Sequence, residues 1–207
     1  MLEAFQTDVN NRKAIASMVQ KITDKYEKIL KAAEQLFEAN GFHATGVEAI
    51  ASVSGVTKRT LYKHFGSKEG LIEAVLRRHH DQTMDCMRSR VAKTDAGSGK
   101  KLLVCLDLYQ DWFFKPCFAG CIFIKTLNEF QQGSEKLFTF AAQTKADLHD
   151  YITEIAREEN VAKPERLADQ LQLILEGSIV VAQCGRKKES VRTARELAEN
   201  LISQALV

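Results

Sequence analysis

An all-α fold is predicted, with a three-helix N-terminal head and a larger helical C-terminal domain, on three observations. Apolar residues recur at i, i+3 and i+4 along most of the chain, as in Tyr26, Ile29, Leu30, Ala33, Leu36 and Phe37. Short polar or glycine-marked stops separate these stripes, at Asn40-Gly41, Ser54-Gly55, Gly66-Ser67 and Thr94 to Gly99. Finally, 207 residues contain only two Pro and eleven Gly, while 45% hydrophobic content supplies a packed core.

In chain order, residues 1–22 are a weakly amphipathic extension with Arg12 and Lys13, either a lead-in or an arm that touches DNA. A first helix is predicted from about Thr23 to Asn40, with Lys25, Lys28 and Lys31 interleaved with Glu27 and Glu34 on a solvated face. Thr45 followed by Glu48 is the spacing of a capping box, so a second helix is expected from Gly46, burying Val47, Ile50 and Ala51. Ser54-Gly55 ends it. After a short turn, Thr57 is the cap of a third helix that buries Leu61 and Phe65, and Gly66-Ser67 ends that helix and caps the next.

Two short helices joined by a tight turn are the sequence form of a helix-turn-helix, whose second helix shows its first residues to base edges in the major groove. Net charge of the chain is only +2, and its distribution is more informative than its size. From Ala49 to Lys68 there are four Lys or Arg and no Asp or Glu. A surface facing phosphates needs that arrangement, since each carboxylate there would repel the duplex. Lys58 and Arg59 are the candidates for base edges, with Thr60 and Tyr62 assisting. Tyr62, Lys63, His64 and Lys68 are the candidates for phosphates, with Thr57 at the helix start and the Thr45 hydroxyl as further contacts.

The wording of this stretch also resembles a known family. Gly55-Val56-Thr57-Lys58-Arg59-Thr60-Leu61-Tyr62-Lys63-His64-Phe65, then Ser67-Lys68-Glu69-Gly70-Leu71, is similar to the end of the DNA-binding domain of TetR-family transcriptional regulators. Ile29-Leu30, Ala32-Ala33, Leu36-Phe37 and Gly41-Phe42 upstream fit the same pattern, so the resemblance spans roughly residues 25–80. It implies a division into extension (1–22), DNA-binding head (23–68) and effector-binding and dimerisation domain (69–207). It also implies a homodimer on a palindromic operator, repression, and release by a small ligand.

Beyond the head, a helix of about 25 residues is predicted from Ser67 to about Lys93, ending in Thr94 to Gly99, the clearest break in the chain. Helices follow at about Lys100 to Phe114, Cys121 to Gln131, Ser134 to Asn160, Pro164 to Ala182 and Glu189 to Leu206. Nine of the sixteen aromatic residues lie between Tyr109 and Phe140. They are either an ordinary core or the lining of an apolar cavity. The family resemblance favours a pocket, drawn from Met84, Met87, Tyr109, Trp112, Phe113, Phe123, Leu127, Phe130 and Phe138. The last two helices carry broad apolar faces, read either as packed within one chain or as a four-helix interface between two copies. The resemblance favours the second, through Leu171, Leu175, Ser178, Ile179, Ala182, Ala194, Leu197 and Leu201.

Other classes find little support. No apolar run approaches the roughly 20 residues that span a bilayer, and residues 1–11 do not read as a signal peptide, so a cytoplasmic protein is expected. Five cysteines without an export signal read as reduced thiols. Cys117 and Cys121 are four apart with no histidine close by, which argues against zinc and leaves buried structural thiols or a redox sensor. An enzyme using either cysteine needs a base in reach, and His149 is the only histidine after His80. No catalytic residue, metal or cofactor is therefore assigned. The alternative to ligand release is the same DNA-binding head switched by thiol oxidation or by a protein partner.

Overall fold

The computed structural model of the chain describes residues 23–116 and 118–206; the N-terminal extension and Cys117 lie outside them. The regular elements of the described residues are all helices. They are α1 (23–40), α2 (Val47–Ser54), α3 (Lys58–Phe65), α4 (Lys68–Ala92), α5 (Lys100–Phe113), α6 (Ile122–Glu129), α7 (Glu135–Glu158), α8 (Pro164–Gln183) and α9 (Lys187–Ala205). The chain falls into two compact units, one ending at Val75 and the other starting at Leu76. Both residues lie inside α4, which is continuous from Lys68 to Ala92.

The head closes around the apolar positions that the 3.6-residue period selects. Ile29, Ala33 and Phe37 of α1, Ile50 of α2, Leu61 of α3 and Leu71 and Val75 of α4 are all fully buried. Phe42, in the loop after α1, packs its ring 5.0 Å from that of Phe37, and Tyr26 stacks on Phe65 at 4.8 Å. Burying a leucine, isoleucine or phenylalanine contributes about 1.5–3 kcal/mol each, so this small core depends on every one of them. Gly55 ends α2 at φ 68°, where its N–H closes onto the Ser52 carbonyl, a left-handed conformation that a side chain would strain.

The larger unit has an apolar core contributed by the end of α4 (Met87, Val91), α5 (Leu102, Cys105, Leu106), α7 (Leu148, Ile152, Ile155, Ala156), α8 (Leu167, Leu171, Leu175) and α9 (Ala198, Ile202). Pro164 opens α8 as its first helical residue, where the missing N–H costs nothing. Burial of Cys105 in this core pushes its thiol up to about 12. The Thr94 to Gly99 stretch is not the junction between the units. Its backbone is held by the buried Glu159 at the end of α7, whose carboxylate accepts from the N–H of Gly97 (2.9 and 3.1 Å) and of Gly99 (3.1 Å).

Two helix starts differ from expectation. Gly46, not Thr45, is the N-cap of α2, and no side chain caps that helix. α9 begins at Lys187, two residues before Glu189.

Candidate nucleic-acid interface

α3 is oriented by its own cap and by one buried side chain. The Thr57 oxygen accepts from the Thr60 N–H at 3.2 Å and also shares a 2.9 Å hydrogen bond with the Thr60 hydroxyl. Leu61 is fully buried, which turns the opposite face outward. Lys58, Arg59 and Lys63 are exposed, and Tyr62 presents 44% of its surface to solvent. The acid-free stretch thus becomes a basic helical face with an aromatic side chain in its middle. Such a face meets the two needs of duplex recognition, cations for phosphates and hydrogen-bond donors for base edges.

Not every residue selected from the sequence stands on that face. Thr45 is buried at 2% exposure, and its hydroxyl donates to the carbonyls of Gly41 (2.7 Å) and Leu36 (3.2 Å). That corrects its assignment as a DNA contact and as half of a capping box. The hydroxyl instead ties the loop after α1 to that helix's last turn. His64 is half-buried with its ring edge 6.1 Å from Tyr26, and Lys68, first residue of α4, is also half-buried. Thr57 is exposed, with its oxygen used by the cap.

Glu48 is the residue that sequence reasoning misplaced. Its carboxylate is hydrogen-bonded to the Lys58 ammonium, across the turn. That hydrogen bond is the first cause holding the Glu48 carboxyl below the usual carboxylate range, followed by its own backbone N–H and the lysine's charge. The signal available in the sequence was position alone, since Glu48 directly precedes the acid-free stretch.

In the larger unit, the expected pocket residues fall into separate groups. Tyr109, Trp112, Phe113 and Phe118 form one aromatic cluster, with successive ring separations between 4.9 and 6.0 Å. Phe123 instead meets His79 and His80, at 5.6 and 6.4 Å, and His80 also meets Phe140. Met87 belongs to the apolar core, while Met84 and Phe130 are buried and Leu127 and Phe138 half-buried. Beside the first group lies a polar cluster. The Lys145 ammonium donates to Glu176 at 2.6 Å and to the Cys121 sulfur at 3.5 Å, with Cys121 itself 8% exposed. Burial works against the charge of Lys145, yet Cys121 and Glu176 outweigh it and hold the ammonium above the ordinary lysine value. Burial also pushes the phenol of Tyr109 well up.

Five of the eight residues expected at an interface on α8 and α9 face their own unit instead. Leu171 and Leu175 are part of the core of their own unit, Ile179 and Ala182 are likewise buried, and Leu201 packs against that core. α8 is apolar around more than one face, and the stripe chosen from its period is the inward one. The outward one carries Leu173 (74% exposed) and Val180 (53%), and Leu197 on α9 is 49% exposed. An open groove of about 470 Å³ runs between α8 and α9, lined by Leu173, Gly177, Val181 and Leu197 together with Ser178 and Ala194.

Comparison with known proteins agrees with the head's geometry. Residues 29–75 match the family described as bacterial regulatory proteins, tetR family. The chain is 25% identical to the HTH-type transcriptional regulator YjdC of Escherichia coli (strain K12) over 177 residues, which cover 85% of this chain and 92% of YjdC. Over 85 residues it is 35% identical to the HTH-type transcriptional activator FasR of Mycolicibacterium smegmatis, covering 41% and 38% of the two chains. The fold is similar to that of a TetR-family regulator from Streptomyces coelicolor, with a TM-score of 0.84 at 18% identity over 89% of this chain and 97% of that one. The head, residues 29–75, thus matches the DNA-binding part of the tetR family of bacterial regulatory proteins, and the whole chain shares the helical fold of a TetR-family regulator.

Proposed function

We propose that the chain is a homodimeric repressor that binds an imperfectly palindromic operator through α3 of each copy and is released by a small apolar ligand in the larger unit. The observation that carries this reading is the outward basic face of α3, anchored by Leu61. A twofold dimer presents two such helices to successive major grooves about 34 Å apart, which calls for a palindromic site. Arg59 reads base edges and Lys63 binds phosphate. Footprinting on DNA flanking the protein's own gene locates the operator, and a reporter on that DNA reads the sign, transcription rising when the protein is absent. Arg59→Ala is expected to lower discrimination between operator and mutated sites by about 1–3 kcal/mol. Lys63→Ala is expected to weaken binding to all sequences and flatten the salt slope by about one unit. Operator affinity left untouched by both would remove α3 as the reading helix.

The second copy is proposed to sit on the groove between α8 and α9, because Leu173, Val181 and Leu197 are apolar and outward there. Leu173→Glu is expected to yield monomers in analytical ultracentrifugation, with loss of operator binding. The ligand acts by linkage, shifting the population only as far as its affinity differs between DNA-binding and released forms. α4 carries that difference, being one uninterrupted helix of about 38 Å that belongs to both units.

A second reading is favoured by one contact, Lys145 Nζ to Cys121 Sγ at 3.5 Å. Reactive cysteines sit in electropositive surroundings of this kind. Calorimetry against apolar metabolites, set beside operator binding with and without peroxide, separates ligand release from a thiol switch.

A further inference from the structure

Glu48 and Lys58 are ten residues apart and belong to different helices, yet the carboxylate of one holds the ammonium of the other. Both side chains are more than half exposed, 65% for Glu48 and 52% for Lys58. An ion pair in that setting is weak, because water screens it and two long side chains must be ordered to form it. It therefore opens readily when something better is offered.

We propose that Glu48 is a specificity-determining residue for DNA: it competes with phosphate oxygens for the Lys58 ammonium, so that Lys58 adds little to sequence-independent binding. This rests on the reading of α3 as the DNA-facing helix. Binding to arbitrary sequence is driven by cations that release counterions from phosphates. An ammonium already paired with a carboxylate brings no net charge to the duplex. If it moves to a phosphate, it leaves an uncompensated carboxylate facing the same polyanion. A base edge with two acceptors, such as guanine O6 and N7, gives a lysine at the helix start two hydrogen bonds in one fixed place, and it does so only at the right sequence. The penalty imposed by Glu48 therefore falls on random DNA more heavily than on the operator, widening the ratio between them. Lys63, exposed on the same helix, remains to supply a phosphate contact.

The test is a salt titration of the full chain on a short random-sequence duplex, followed by fluorescence anisotropy. Glu48→Gln keeps the shape and removes the charge; it is expected to tighten random-duplex binding about two- to fivefold. It should also steepen the slope of log affinity against log salt by about 0.9 per engaged head. Adding Lys58→Gln to Glu48→Gln should cancel the gain. An unchanged slope in Glu48→Gln overturns the proposal. So does a gain that persists in the double variant, because Glu48 would then act as a plain negative charge and not through Lys58. Failure of the underlying reading looks different: the chain would not bind the random duplex at all, or Lys63→Ala would leave its slope unchanged.

Discussion

The head and the larger unit are both helical, and they use charge in opposite ways. α3 shows Arg59 and Lys63 to solvent from a stretch without acids, and the helix is held in place by an apolar side chain, Leu61, on its other side. In the larger unit the charged groups meet one another across helices. Arg195 of α9 reaches Asp107 of α5 at 2.5 Å, Lys101 of α5 reaches Glu158 of α7 at 2.9 Å, and Lys145 of α7 reaches Glu176 of α8. Charge matched within the chain fixes how helices pack. Charge presented in one sign on one face is there for a partner of the opposite sign. The two units thus teach the same rule from either side, and Glu48 on Lys58 is a place where the head adopts the habit of the larger unit.

The largest way to break this contrast is to remove the apolar anchor. Leu61→Ala is expected to cost the head about 2–5 kcal/mol, abolishing DNA binding while the helical circular dichroism of the larger unit persists. If the whole chain melts as one, the two units do not fold as independent cores. Next in size is the buried acceptor of the larger unit. Glu159→Gln keeps the volume but replaces a carboxylate accepting from Gly97 and Gly99 with an amide that has only one acceptor oxygen, and should lower stability by about 1–3 kcal/mol in urea unfolding. An unchanged midpoint would show that this charge, unlike the interhelical pairs, is incidental. The third effect is confined to alkaline pH. The Cys105 thiol has its folded value raised from 9.0 to about 12, so the stability it contributes is complete below 9.0 and is lost as pH rises through about 12. Urea midpoints that fall over this range in the native chain and fall less in Cys105→Ala would sharpen the picture of a dry core.

What could be read from the sequence was whatever is settled locally. The Thr57 cap, the Gly55 and Gly66 stops and the burial of Leu61 depend on residues within four positions of each other, and all stand where the spacing put them. What could not be read depends on remote partners. Thr45 has the right neighbour for a capping box, but its hydroxyl goes to Leu36 and Gly41 in the previous helix and loop. Periodicity on α8 identifies an apolar face without saying what covers it, so it points to Leu171 and Leu175 where Leu173 and Val180 are the outward residues. The aromatic cluster near Trp112 and the histidine contacts of Phe123 differ for the same reason: a list of large rings carries no information about which helix each one meets.

Glu159 has a practical corollary for anyone who handles the protein. By composition, Asp95-Ala96-Gly97-Ser98-Gly99 is the obvious place to nick the chain or to insert a tag. A protease must draw several residues of its target into an extended strand, and here two of the amides it would have to pull out are already bonded to a buried carboxylate. Cleavage at this loop should therefore report on the docking of α7's last turn, and a peptide spliced in between Gly97 and Gly99 would disrupt the unit it was meant to label.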